Sequence, residues 1–242
     1  MDTKKRIKNR KNAFTMTELM IVLVAVGFVA ITVMPVIISR HQTTVTVNRL
    51  QKSYSVVSAA FTRARAVNGP VYNWDIRNNH AAEDVFNIIK PHLKINKVCG
   101  NQTNQNCVAQ TYGRLNNNGT DGGDGDTRYY KSILADGSSF AVRMDNINCT
   151  IVKGENEYLK HICGIAFVDI NGVRKPNVAG KDKFEFYITS YGIYPRGSRF
   201  ETSISRLDGP EGCSNKSAKG YGCSAWVLTN KNMDYLIGTV SW

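Results

Sequence analysis

Hydrophobic and polar positions fall into three regimes along the chain. From Leu19 to Ile38, twenty consecutive residues carry no charge. At the helical rise per residue, such a run spans about 30 Å, the thickness of a bilayer's hydrocarbon core. Beyond Pro35 the pattern changes. Val47, Leu50, Tyr54, Val57, Phe61 and Ala64 recur at alternating steps of three and four, which is the apolar stripe of an amphipathic helix. Arg49, Gln51, Lys52, Arg63 and Arg65 supply the polar face, and Asn68-Gly69-Pro70 ends the element. The spacing predicts one long helix from Phe14 to near Val67, apolar all round in its first half and one-sided in its second.

The third regime is the remainder. Residues 80–98 read as a short helix ending near Pro91 and then an extended piece into Cys99. Residues 100–127, rich in Asn, Gly, Asp, Gln and Thr, read as a long exposed loop. Tyr130–Ala135 and Phe140–Met144 flank Asp136-Gly137, a hairpin signal. Ile165–Ile170 and Phe184–Thr189 are further strands, and Trp226–Leu228 with Tyr235–Val240 suit a terminal hairpin around Asn230-Lys231-Asn232. The expected fold is α+β: a long N-terminal helix, transmembrane then amphipathic, packed on an antiparallel sheet head. The corresponding segments are 1–13, 14–38, 39–68 and a head of 69–242.

Charge refines this picture. The formal net charge is +12, and residues 1–13 hold six cations against the single anion Asp2. A basic block directly before an apolar run keeps the N-terminus cytoplasmic and sends the following chain across the membrane. A secretory signal peptide would have a shorter apolar stretch and a small-x-small cleavage site, and Val36-Ile37-Ile38-Ser39-Arg40 offers none. Glu18 is out of place in a plain anchor. A carboxylate at the membrane boundary costs a few kcal/mol unless it is paired. The simplest partner is a positive charge from another copy of the chain. Cutting before Phe14 creates such a charge, an α-amine four residues from Glu18.

The string Asn12-Ala13-Phe14-Thr15-Met16-Thr17-Glu18-Leu19 resembles the processing signal of type IV prepilins and type II secretion pseudopilins. The resemblance implies cleavage between Ala13 and Phe14 by a prepilin peptidase and N-methylation of Phe14. It also implies that Glu18 neutralises the amine of a neighbouring subunit, and that Pro35 sits where many of these helices kink. Ala13 departs from the glycine usual before the cut. The implied partners are copies of the chain or related pilins and an inner-membrane assembly platform. The implied location is the inner membrane, then a periplasmic pseudopilus or extracellular pilus. The alternative is a periplasmic binding module on an uncleaved anchor.

Six cysteines in an exported chain read as a disulfide framework. Of the 15 possible pairings, Cys99–Cys107, Cys149–Cys163 and Cys213–Cys223 each close a short loop. Only His161 lies near a cysteine, so zinc is disfavoured. Asp169, Asn171, Asn177 and Asp182, with Gly172 and Gly180, form an oxygen-rich segment between two predicted strands, similar to the calcium loops of several pseudopilins. The same residue types also serve as plain turn formers. Asp121, Asp124 and Asp126 are a weaker cation set. None of the common hydrolase, nucleotide or metalloprotease motifs occurs, so an enzyme is not expected. Arg128-Tyr129-Tyr130-Lys131 and the Tyr194–Phe200 segment, with Arg196 and Arg199, could stack on nucleic acid. They are read instead as strand edges with solvated charges.

Overall fold

The computed structural model describes residues 15–202 and 206–242, so the proposed cleavage point at Ala13 and Phe14 lies outside the described residues. Helix α1 runs without interruption over Met16–Asn68, through Pro35. It stops where expected. Gly69 adopts φ +75°, a left-handed position that suits glycine, its N–H donates to the Arg65 carbonyl, and Pro70 follows.

The chain divides into two compact units, 1–42 and 43–242. In the first, the side chains of Leu19–Val29 and Ile31–Ile38 are all exposed, and this is the one helix among the described residues long and apolar enough to cross a membrane. Its Thr32 hydroxyl donates back to the Phe28 carbonyl at 3.0 Å, so that polar group needs no water.

In the second unit, the predicted stripe is buried. Val47, Leu50, Val57, Phe61 and Ala64 are at most 4 % exposed, and Tyr54 stacks on Phe186 with ring centroids 5.4 Å apart. The partner surface is a six-stranded antiparallel sheet built from β1 (Ile95–Gly100), β4 (Tyr130–Leu134), β5 (Ser139–Met144), β6 (Ile162–Asp169), β7 (Lys183–Thr189) and β8 (Gly192–Pro195), in the order β1-β4-β5-β6-β7-β8. The β4–β5 hairpin turns at Asp136-Gly137, pairing Ser132 with Phe140, as the sequence predicts. Because side chains alternate across a sheet, Phe184, Phe186 and Ile188 of β7 join the helix-side core, while Lys183, Glu185 and Tyr187 point to the other face. Helix α2 (Ala81–Ile89) adds Val85, Phe86 and Ile89 to the core.

Three expectations change. Residues 100–127 are not simply an exposed loop. They contain a two-stranded ribbon, β2 (Thr111–Gly113) with β3 (Thr120–Gly122), and bury Val108, Ala109 and Tyr112 with Phe167 on the far face of the sheet. The C-terminal hairpin is absent: Cys223–Asn230 is a helix, α4, following the one-turn helix α3 (Glu157–Lys160) in chain order. Trp226 and Val227 favour strands by type, but burial decides their conformation. The Cys213–Cys223 bridge anchors the start of α4, and its end is the left-handed Lys231, within the segment expected to be a turn. Finally, Lys131 and Arg196 are buried, not solvated.

If the stripe carries the helix–sheet contact, Phe61→Ala lowers head stability by about 3–5 kcal/mol, through lost burial and a residual cavity. Val67→Ala, at an exposed position, changes it by less than about 0.5 kcal/mol. Denaturant unfolding of the two variants checks both.

Candidate functional site

The start of α1 combines two local rules. Thr15 precedes the first helical residue, and Glu18 sits three positions on. The Thr15 N–H and hydroxyl both donate to Glu18 Oε2 at 2.9 Å, and the Glu18 N–H donates to Thr15 Oγ1 at 3.2 Å. This is a capping box, which satisfies otherwise orphaned N–H groups at a helix N-terminus. Its carboxylate also sits at the positive end of the helix dipole. The acid singled out in the sequence therefore has a local role, and Glu18 remains exposed beside the apolar run. The box uses only residues 15–18.

The six cysteines form the bridges Cys99–Cys107, Cys149–Cys163 and Cys213–Cys223. The Cys163 thiol beside His161 is thus consumed.

The segment between β6 and β7 gathers the four oxygen-bearing residues. Asp169 and Asp182 are buried, and Asn171 bridges them, its N–H to Asp169 Oδ1 at 3.2 Å and its Nδ2 to Asp182 Oδ2 at 3.3 Å. The Asn177 and Val178 N–H groups hold Asp182, each at 2.7 Å, and the Tyr112 hydroxyl donates to Asp169 at 3.0 Å. Burial, together with the neighbouring Asp182 charge, pushes the Asp169 carboxyl up to about 8, and burial raises Asp182 as well. The Oδ1 atoms of Asn171 and Asn177 are buried with no hydrogen-bond partner. Buried amide oxygens normally find one. The segment thus gathers two buried carboxylates and two unpaired amide oxygens. Only two acids contribute, and no group of three or more His, Cys, Asp or Glu placed to hold a metal ion occurs among the described residues.

The second acidic set does not assemble. Asp121 binds Arg114 at 2.8 Å and Tyr221, Asp126 binds Arg128 at 2.7 Å, and Asp124 accepts from the Asn104 N–H and lies 3.8 Å from buried Lys131. Each carboxylate is tied to its own cationic or N–H partners.

Sequence reading missed a lattice of charges on the far face of the sheet. Glu185 pairs with Lys183 at 2.8 Å and with Arg196, and Arg196 reaches Glu211 at 3.2 Å. Burial alone would raise the Glu185 carboxyl, but the Lys183 and Arg196 charges hold it below the usual range. Arg143 lies over Tyr129 and pairs with Asp145. These groups line a cleft of about 540 Å³. Nearby Glu201 accepts from the Gly197 and Ser198 N–H groups and from Tyr187, yet burial pushes it up to about 7. No protein-family model matches the chain, and no curated protein or solved structure matches it either.

The buried acids set a pH dependence. Glu201 titrates near 4.3 when unfolded and about 7 when folded, so between these values the native state holds the extra proton. Its stabilising contribution is full below about pH 4 and fades as pH rises through about 7. Asp169 acts in the same direction up to about pH 8. In a metal chelator, the melting temperature of the chain therefore falls between about pH 5 and 8. Glu201→Gln makes that slope shallower. A melting temperature that rises over this range refutes the assignment.

Proposed function

We propose that this chain is a structural subunit of a type IV pilus or type II secretion pseudopilus, and not an enzyme. It waits in the inner membrane, loses residues 1–13 between Ala13 and Phe14, and polymerises through α1. The observation that carries this reading is the N-terminal half of α1. It is an apolar surface with no cover of its own, preceded at its membrane-boundary end by one carboxylate. A helix of this kind moves from lipid into the apolar core of a filament without exposing new apolar area to water. Glu18 then sets the axial register by pairing with the Phe14 amine of an adjacent copy, supplying the partner that a boundary carboxylate needs. Residues 43–68, fixed to the sheet, carry the head.

The capping box allows a discriminating test. Glutamine at the same position still completes a capping box but carries no charge. Expressed with its assembly machinery, Glu18→Gln keeps the subunit in the membrane and yields no filament. Thr15→Ala loses the cap hydroxyl, at a cost of about 1 kcal/mol, yet keeps the acid and still assembles. Mass spectrometry of the membrane-extracted subunit finds N-methylated Phe14 at the N-terminus. An intact Met1 in filaments, or full assembly of Glu18→Gln, overturns the proposal. Intact Met1 together with no filament at all supports the anchored binding module instead.

The loop between β6 and β7 holds calcium in this reading. Asp169 and Asp182 supply charge, and the buried Asn171 and Asn177 amide oxygens complete the ligand set; the cation's chemistry is structural, fixing the crossing between the two strands. At pH 8, millimolar calcium raises the melting temperature of the chain by several degrees over chelator, as binding to the native state alone requires. Asp182→Asn removes the increment. Equal melting with calcium and with chelator excludes the site.

A further inference from the structure

A second cleft, of about 410 Å³, opens between β8, the turn after it and α4. Its walls are aromatic. Phe200 is 49 % and Trp242 43 % exposed, and Tyr194 faces the same space. These rings are held in place from behind. The Trp242 Nε1–H donates to the Gly197 carbonyl at 3.1 Å and its ring packs on Trp226 at 5.3 Å, while the Arg199 guanidinium lies 4.9 Å over Phe200. Exposed clustered rings are costly surface to keep in water, and clefts of this size with few polar groups are typical of ligand sites.

One polar group points to the kind of ligand. Ser198 lines the cleft and is only 8 % exposed, and its hydroxyl is buried with no hydrogen-bond partner among the described residues. Its own N–H is used by Glu201, so the backbone there is fixed while the hydroxyl has no partner. Buried hydroxyls are ordinarily satisfied, and here a bound group can supply what the protein does not. Thr229 and Arg199 add donors to the lining, and no Asp or Glu side chain lines the space among the described residues.

We propose that this cleft binds a pyranose ring of a glycan. A sugar ring has an apolar C–H face, which an aromatic ring's negative face attracts, and a rim of hydroxyls that can reach Ser198, Thr229 and Arg199. A purely apolar side chain leaves Ser198 unsatisfied. A nucleic acid requires several cations for its phosphates, and among the described residues the cleft offers Arg199 alone. The site is independent of whether the chain assembles into a filament.

The test uses the full chain in a detergent without a sugar headgroup. Tryptophan fluorescence is titrated with gluco-, galacto-, N-acetylglucosamino- and uronate oligosaccharides, an aromatic dipeptide and oligothymidylate. At least one sugar shifts the emission saturably. Trp242→Ala weakens that binding by about tenfold or more, the scale of a lost aromatic stacking partner, and Trp242→Phe retains most of it. Ser198→Ala weakens it about fivefold with an unchanged melting temperature, since the hydroxyl makes no bond in the free protein. The proposal is overturned if no sugar shifts the emission, if the shift survives unchanged in both Trp242→Ala and Ser198→Ala, or if the dipeptide or oligothymidylate binds there more tightly than every sugar.

Discussion

Packing of residues 43–64 of α1 against the aromatic side of the sheet is the contact on which the head depends. Val47, Leu50, Val57 and Phe61 meet Phe140, Val142, Val168, Phe184, Phe186 and Ile188 in one core. Each element supplies one apolar face and neither can be stable in water alone. Burying a side chain the size of Leu or Phe contributes about 1.5–3 kcal/mol, so a handful of such positions rivals the whole net stability of a domain. The same helix continues into residues 19–38, which carry no charge and whose side chains, Ala30 apart, are exposed. In the membrane-subunit reading proposed above, one element serves two solvents, and its sequence changes register near Pro35 to do so.

The far side of the sheet is organised by different physics. There β7 presents Lys183, Glu185 and Tyr187, and loops from distant parts of the chain close over them. Three bridges restrict those loops in the unfolded chain and thereby favour the folded one. Arg196 then links the 196–201 turn to the sheet through Glu185 and to the 211–222 segment through Glu211. A buried pair of this kind is weak evidence for net stability, but removing one partner leaves an uncompensated charge. The lattice therefore specifies where the loops sit more than it holds the fold together.

What was legible in the sequence follows from this division. The stripe of α1 and the Asp136-Gly137 hairpin were readable because their signals are local and periodic, and the cysteine loops because each closes over a short span. The Asp169–Asp182 quartet was readable because its donors lie within one short segment. Helix α4 was not, since Trp226–Leu228 is strand-like by residue type and becomes helical through burial beside the Cys213–Cys223 bridge. The order in residues 100–127 was hidden because it rests on few apolar anchors. Tyr112 sends its hydroxyl to Asp169, and Gly113 pairs its backbone with Asn177 and Ala179. The charge lattice and the aromatic cleft draw on residues far apart in the chain, such as Ser198 and Trp242, whose meeting no spacing rule anticipates.

The quartet also concentrates two buried acids that hydrogen bonds alone do not keep ionised. Asp169 and Asp182 already accept five hydrogen bonds from Tyr112, Asn171, Asn177 and Val178, each of which favours the ionised form. Burial and mutual repulsion outweigh them, so Asp169 keeps its proton to unusually high pH. Lys183, adjacent in sequence to Asp182, has its ammonium committed to Glu185 and the Tyr112 and Phe167 rings. Two neutralising agents remain, a proton or a metal cation, and they compete for the same oxygens. A proton satisfies one carboxylate and leaves the Asn171 and Asn177 amide oxygens unpaired, whereas a hard cation can engage all four residues. In the calcium reading proposed above, the two unpaired amide oxygens, more than the two acids, are what would separate a cation loop from an ordinary turn.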